Sequence, residues 1–303
     1  SREHLRNWPA VSEAALQEAG VTLGDVDIVA ATKGPGLIGS LLVGLSLGKA
    51  IAYAQGSRFH AVHHLEGHLF SPFLEATGEK AERPPEEFIG LVVSGGHTSL
   101  YEVKAGETST LAETRDDAMG EVFDKVGKRL GLPYPQGPLV DQLAEIGDGE
   151  RFPLPVARCS DGSLDFSYSG LKSQTLVEIQ RLESAGVETY LGETREREVP
   201  RDVVDLLAGF RRAAVGQLVD RLARLLEQRP FRPLAGSGGV AANRLLRPSL
   251  EAWAEDNHVD LRLVALRYSG DNAAMIAHAA LLRDERGLAD DPLEADAASR
   301  IPL

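Results

Sequence analysis

The sequence predicts an α/β protein of two lobes, and three observations carry that expectation. Its 303 residues exceed the roughly 100–200 of one domain. Apolar residues make up 43% and charged residues 25%, the balance of a packed chain rather than a disordered one. Strand-like and helix-like stretches alternate, with glycine turns at strand ends, which is the rhythm of βαβ units.

The elements follow in order. Ser1-Arg2-Glu3-His4 runs into helix-like sequence without the apolar core of a signal peptide, and a missing N-terminal piece is expected. Asp25 to Thr32 reads as a strand, Gly34-Pro35-Gly36 as a turn, Leu37 to Ala54 as an apolar helix, and Arg58 to Val62 as a second strand. Leu74 to Glu87 is charged and carries Pro84-Pro85, so it reads as an exposed connection between lobes of residues 1–87 and 88–303.

Phe88 to Ser94 and His97 to Val103 flank Gly95-Gly96 as a hairpin, and Gly120 to Leu130 is helical, ended by Gly131 and Pro133. Gly147 to Asp165 and Glu183 to Pro200 read as insertions or long loops. Val203 to Arg229 repeats apolar residues at helical period. After the glycine loop Gly236 to Gly239 come a strand at Leu261 to Leu266 and a last helix from near Asp271 to about Gly287, able to pack back on the first lobe. The acidic tail with Asp290, Asp291, Glu294 and Asp296 reads as a frayed end.

Composition narrows the function. The single cysteine, Cys159, can form no internal disulfide and suits a reducing cytoplasm. The longest uncharged run, Gly34 to Gly48, meets Lys49 before it could span a bilayer of roughly 30 Å, so no membrane segment is expected. A net charge of −13 argues against sequence-independent nucleic-acid binding. Any RNA contact would need a local patch, for which Lys125, Lys128 and Arg129, Lys172, and Arg211 and Arg212 are candidates, although each reads more simply as a solvated helix face.

Gly34-Pro35-Gly36-Leu37-Ile38-Gly39 matches the dinucleotide fingerprint, but the next strand ends in histidines rather than the acidic residue that would hold a ribose. A tight strand-to-helix turn is the better reading. His64 and His68, four residues apart on one helical face, can grip one metal ion, or can simply pack. A peptidase would need glutamate directly after the first histidine. At about 100° per residue Glu66 sits roughly 200° from both, on the opposite face.

Two glycine loops, Ser94 to Thr98 and Gly236 to Gly239 leading to Asn243, follow strand-like sequence and could cradle a phosphate or ribose, or be plain turns. Together with Asp124 they suggest a nucleotide cleft walled by two lobes. Asp271 could cap the last helix, or complete a His-His-Asp set that leaves positions open for substrate.

At this point the chain resembles the TsaD family of tRNA threonylcarbamoyladenosine transferases. The motifs are collinear: GPGLIGSLLVG from Gly34, HLEGH from His64, LVVSGGHT from Leu91, GEVFDKVGKRLGLPYPQGP from Gly120, FSYSGLK from Phe166, GGVAANRLLR from Gly238 and SGDNAAMIA from Ser269. The resemblance implies an actin-like, sugar-kinase-like fold with duplicated RNase H-like mixed sheets, of which this chain would lack the N-terminal strands of the first lobe. It implies that His64, His68 and Asp271 hold a divalent metal, iron(II) first, with zinc or manganese also suited. Val92, Val93, Ser94, Gly95 and Gly96 would line the phosphate of threonylcarbamoyl-AMP, or of bound ATP or ADP. Asp124, Gly137, Asp141 and Asn243 would contact the nucleoside.

The implied reaction moves a threonylcarbamoyl group from threonylcarbamoyl-AMP to N6 of the adenosine beside the anticodon in tRNAs reading codons that begin with A, releasing AMP. The implied partners are tRNA, a TsaB-like paralogue and a TsaE-like ATPase, in the cytoplasm. Gln136 stands where the family usually has glycine. Three other classes compete: a metal-dependent peptidase, an actin-like small-molecule kinase or ATPase, and a noncatalytic scaffold, which should lack the metal residues.

Overall fold

The computed structural model describes residues 2–74, 83–192, 199–231 and 233–303. The expected connection at 74–87 and the insertion at 183–200 thus lie partly outside the described residues. The chain divides into two units, one within residues 1–82 and 271–303, the other within 83–270.

In the first unit, α1 (Arg2–Ala19) buries no residue. Strand β1 (Ile28–Gly34), helix α2 (Ile38–Gln55) and strand β2 (Arg58–His63) form a parallel βαβ unit, with Ile28 opposite Arg58 and an irregularity between Thr32 and Gly34 that sets Gly34 opposite His63. Alternation along the strands gives the sheet two apolar faces. Ala31, Phe59 and Ala61 pack with Leu45 and Ala52 of α2. Val62 packs with Met275, Ile276, Ala279 and Ala280 of α9 (Ala273–Asp284). A short helix, α3 (His64–Phe70), follows β2 directly.

Helix α2 is long and apolar enough to cross a membrane by length and composition. Here it buries Leu41, Leu45, Gly48 and Ala52 within the unit.

The lobe boundary expected at residue 87 puts Asp271 in the second lobe, with the last helix able to pack back on the first. The structure places Asp271–Leu303 in the first unit, because α9 supplies the apolar layer over the second face of its sheet. Nor is the acidic tail frayed. Asp290 N donates to Phe59 O at 2.8 Å, Ala61 N donates to the Asp290 carboxylate at 2.9 Å, and Ala298 N donates to Lys33 O at 2.9 Å.

The second unit is built on a mixed sheet ordered β5-β4-β3-β6-β7. Strands β3 (Glu87–Val93), β4 (Thr98–Lys104) and β5 (Glu107–Glu113) form an antiparallel meander, while β6 (Pro233–Ser237) and β7 (Asp260–Leu263) continue it in parallel. Helices α4 (Met119–Arg129), α5 (Gln136–Ala144), α6 (Ser169–Ser184), α7 (Arg201–Gln228) and α8 (Leu246–Asp256) complete it. Its core runs through Leu91, Leu100, Phe123, Val126, Phe210 and Leu218. Residues 147–165 form neither helix nor strand. They are tied to α7 by the fully buried Arg221, which donates to Ala157 O and Asp165 O at 2.8 and 3.1 Å.

Candidate metal centre and glycine loops

Helix α3 starts where β2 stops because His63 caps it: its backbone is extended, and its Nδ1 accepts from Leu65 N at 3.2 Å. One turn separates His64 from His68, and their rings meet edge-on with centroids 4.8 Å apart. Across the unit, α9 is capped by Asn272, whose Oδ1 accepts from Met275 N at 2.9 Å. Asp271 is therefore not the cap. Its Oδ1 lies 3.1 Å from His68 Nε2 and 3.5 Å from His64 Nε2.

These donor atoms all lie within 4.8 Å of one another. Ligands about 2.1 Å from a tetrahedral ion sit roughly 3.4 Å apart, so the two Asp271 distances fit one divalent cation. The donor set fits it too, since two neutral imidazoles and one carboxylate carry a single negative charge. His68 Nδ1 is buried without a hydrogen-bond partner among the described residues. A metal-bound histidine usually donates there, so this second shell differs from the common pattern.

Glu66 is on the far side of α3, 3.5 Å from Arg283. Burial raises its carboxyl above the ordinary range, against the pull of Arg283, Lys33 and Arg286. A cavity of about 860 Å³ in this unit is lined by His64 and Asp271 with Trp8, Thr32, Leu41 and Ile276.

The other expected site residues lie in the second unit. Val92 and Val93 end β3, and Ser94 folds the following loop by donating from N to His97 O at 2.8 Å and accepting at Oγ from His97 N at 3.1 Å. Gly95 and Gly96 are exposed. Met119 N donates to Thr98 Oγ1 at 2.9 Å, which ties the start of α4 to this loop. The loop after β6 packs against the end of β3 through Gly238. Its φ is +94°, and a Cβ there would meet Val93 O at 2.2 Å, so only glycine fits.

Gly137 N donates to Asp124 Oδ1 at 2.7 Å. Asp141 Oδ1 accepts from Asn243 Nδ2 at 2.8 Å and from Arg211 Nη1 at 3.0 Å, and its Oδ2 accepts from Arg244 N at 3.0 Å. Asp124 is thereby brought to Gly137, and Asp141 to Asn243. Gln136 is the first residue of α5, buried, outside the positive-φ region, with Nε2 donating to Leu132 O at 3.3 Å. The position does not require glycine.

Arg211 was read from sequence as a solvated face; it is buried and also donates to Ala144 O and Glu145. Its signal was available, because it lies one turn after Leu207 on the apolar stripe of α7, where a lone charge needs a partner. Lys125 and Lys172 both pair with Asp117, and Arg212 pairs with Glu150.

The chain matches the family model described as tRNA N6-adenosine threonylcarbamoyltransferase (TsaD) over residues 1–278. Among relatives carrying that name, the protein from Pelobacter propionicus is 46% identical over 91% of this chain and 76% of its own length. The one from Syntrophobacter fumaroxidans is 45% identical over 99% of this chain and 86% of its own, and the one from Rhizobium meliloti 43% over 100% and 81%. Of solved structures, T. kodakarensis HypF superposes with a TM-score of 0.62 at 14% identity, covering 88% of this chain and 42% of that one. A full-length HypF in a phosphate- and nucleotide-bound form gives 0.60 at 13%, covering 93% and 42%. That likeness bears on fold alone, and places the chain in the actin-like, sugar-kinase-like class. By sequence, the chain belongs to the TsaD family, the tRNA N6-adenosine threonylcarbamoyltransferases.

Proposed function

We propose that the chain transfers the threonylcarbamoyl group of threonylcarbamoyl-AMP to N6 of the adenosine beside the anticodon in tRNAs that read codons beginning with A. The observation that carries this reading is identity of 43–46% over at least nine-tenths of the chain to proteins whose name states both the group moved and the nitrogen that takes it. In the reaction, N6 attacks the carbamoyl carbon. The bond from that carbon to the phosphate oxygen breaks, AMP leaves with the electron pair, and N6 gives its proton to water.

His64, His68 and Asp271 would hold one divalent ion, iron(II) on the family resemblance, with zinc and manganese as fits of the same donor set. Such an ion would supply Lewis acidity when bound. Val92, Val93, Ser94, Gly95 and Gly96 would hold the adenylate phosphate, whose charge suits the exposed glycine backbone at the end of β3. A carboxylate offers about four acceptor positions. Asp141 uses three of them on Asn243, Arg211 and Arg244, which leaves one on Oδ2 for a ribose hydroxyl. Asp124 would act beside Gly137, whose amide it holds.

A TsaB-like paralogue and a TsaE-like ATPase would be the protein partners, and the cytoplasm the compartment. A chain of net charge −13 gains from partner surfaces when it binds tRNA phosphates. Glu66, turned to Arg283, counts against a peptidase.

Transfer of labelled threonylcarbamoyl to tRNA by this chain with its partners tests the reading. Labelled N6-modified adenosine is expected. No product under conditions where a homologue works would overturn it.

A further inference from the structure

We propose that His63 is a positioning residue for the metal centre: its ring pins the start of α3 to a C-terminal strap, Ala298 to Ile301, and thereby aims His64 and His68 at Asp271. This rests on the reading of those three residues as metal ligands.

A helix of seven residues holds no direction of its own, because helices this short are marginal without tertiary anchors. Packing of Gly67 against Met275 and Ile276 holds its middle, and the polar anchor at its start is the buried His63 ring. Nδ1 accepts from Leu65 N at 3.2 Å, so the ring proton of a neutral imidazole sits on Nε2. Nε2 lies 3.2 Å from Ile301 O, which can only accept. One ring thus caps the helix with one nitrogen and grips the strap with the other.

The strap is itself fixed. Ala298 N donates to Lys33 O at 2.9 Å, and Gly36 N donates to Ser299 O at 3.2 Å. At Gly34, φ is +152° and a Cβ would meet Ala298 O at 2.2 Å, so the strap lies where only glycine lets it. Gly34 is also the sheet partner of His63. Strap, turn and ring therefore close on one another. Because His63 directly precedes His64, a tilt of the cap moves both ligand nitrogens together relative to Asp271.

Outer-shell residues that orient metal ligands typically change affinity about 10–100-fold. The test is Co(II) titration of the metal-free chain, read by visible absorption and by competition for the dissociation constant. His63→Asn keeps the cap acceptor but falls short of Ile301 O. His63→Gln keeps a donor at the reach of Nε2. A form of the chain ending at Ala297 removes the strap. His63→Asn and the shortened form should each weaken Co(II) binding about 10–100-fold with an altered cobalt spectrum. Combined, they should add nothing further, and His63→Gln should recover most of the loss.

Tight Co(II) binding that His63→Asn and the shortened form leave unchanged would overturn the proposal alone, as would losses that simply add. No Co(II) binding by the unaltered chain would overturn the metal-centre reading and this proposal with it. Should His63→Asn fail to fold, the shortened form carries the same comparison.

Discussion

Asp271 Oδ1 lies 3.1 Å from His68 Nε2 although 203 residues separate the two in the chain. Asn272 caps α9, and the Asp271 carboxylate faces the imidazoles. A cation bound there would link α3 to the segment that leads into α9. Divalent metal should therefore stabilise the first unit, by about 2.7 kcal/mol at a hundredfold excess over the dissociation constant. Asp271→Asn should abolish that gain. Melting curves recorded with chelator and with added metal check it; an equal metal-dependent shift in the variant would contradict it.

Gly238 should tolerate no side chain. Alanine would have to hold a φ of +94° and place Cβ 2.2 Å from Val93 O. Strain of this kind costs about 1–3 kcal/mol, and displacing the loop should also weaken adenylate binding. Urea unfolding together with nucleotide titration measures both effects for Gly238→Ala.

Asp205 carries a pH dependence. Burial opposes its ionisation, yet hydrogen bonds from Asp148 N, Arg151 and Arg201 outweigh burial and hold its carboxyl below the usual range. Its stabilisation is present above the unfolded value of about 3.9 and is lost as pH falls through the folded value. Asp205→Asn should cost about 1–3 kcal/mol at pH 7. The difference from the unaltered chain should narrow as the pH drops below about 4. Unfolding titrations at several pH values decide it.

Gln136→Gly should destabilise the chain by up to about 1 kcal/mol, because Gln136 sits in the first turn of α5. Nucleotide affinity should stay unchanged, since Gly137 N keeps its bond to Asp124. A gain in affinity would show that Gln136 crowds the loop.

The parts of the fold legible in the sequence are those with strong local patterns. Val203 to Arg229 shows its helical period openly, and the β1, α2 and β2 segments announce themselves by apolar runs broken at glycine. Strand β5 (ETSTLAE) has almost no apolar alternation, because it is a sheet edge with most residues part-exposed or exposed. Helices α5 and α6 open on Gln136-Gly137-Pro138 and Ser169-Gly170, which read as loop. In the candidate site, His64 and His68 were visible because helical spacing is local. Asp271 is a candidate in the sequence through the SGDN motif, whereas its approach to the two histidines, like the C-terminal strap, depends on long-range packing against β1 and β2, which no window of sequence contains. The buried Arg211 was visible only as a charge out of place.

Transfer of labelled threonylcarbamoyl to tRNA, measured beside bound metal per chain for the unaltered protein and for His64→Ala, His68→Ala and Asp271→Ala, tests the central claim most directly. The unaltered chain with its partners should bind one ion and form product, and each variant should lose both. A variant that binds no metal yet transfers at the unaltered rate would contradict the account.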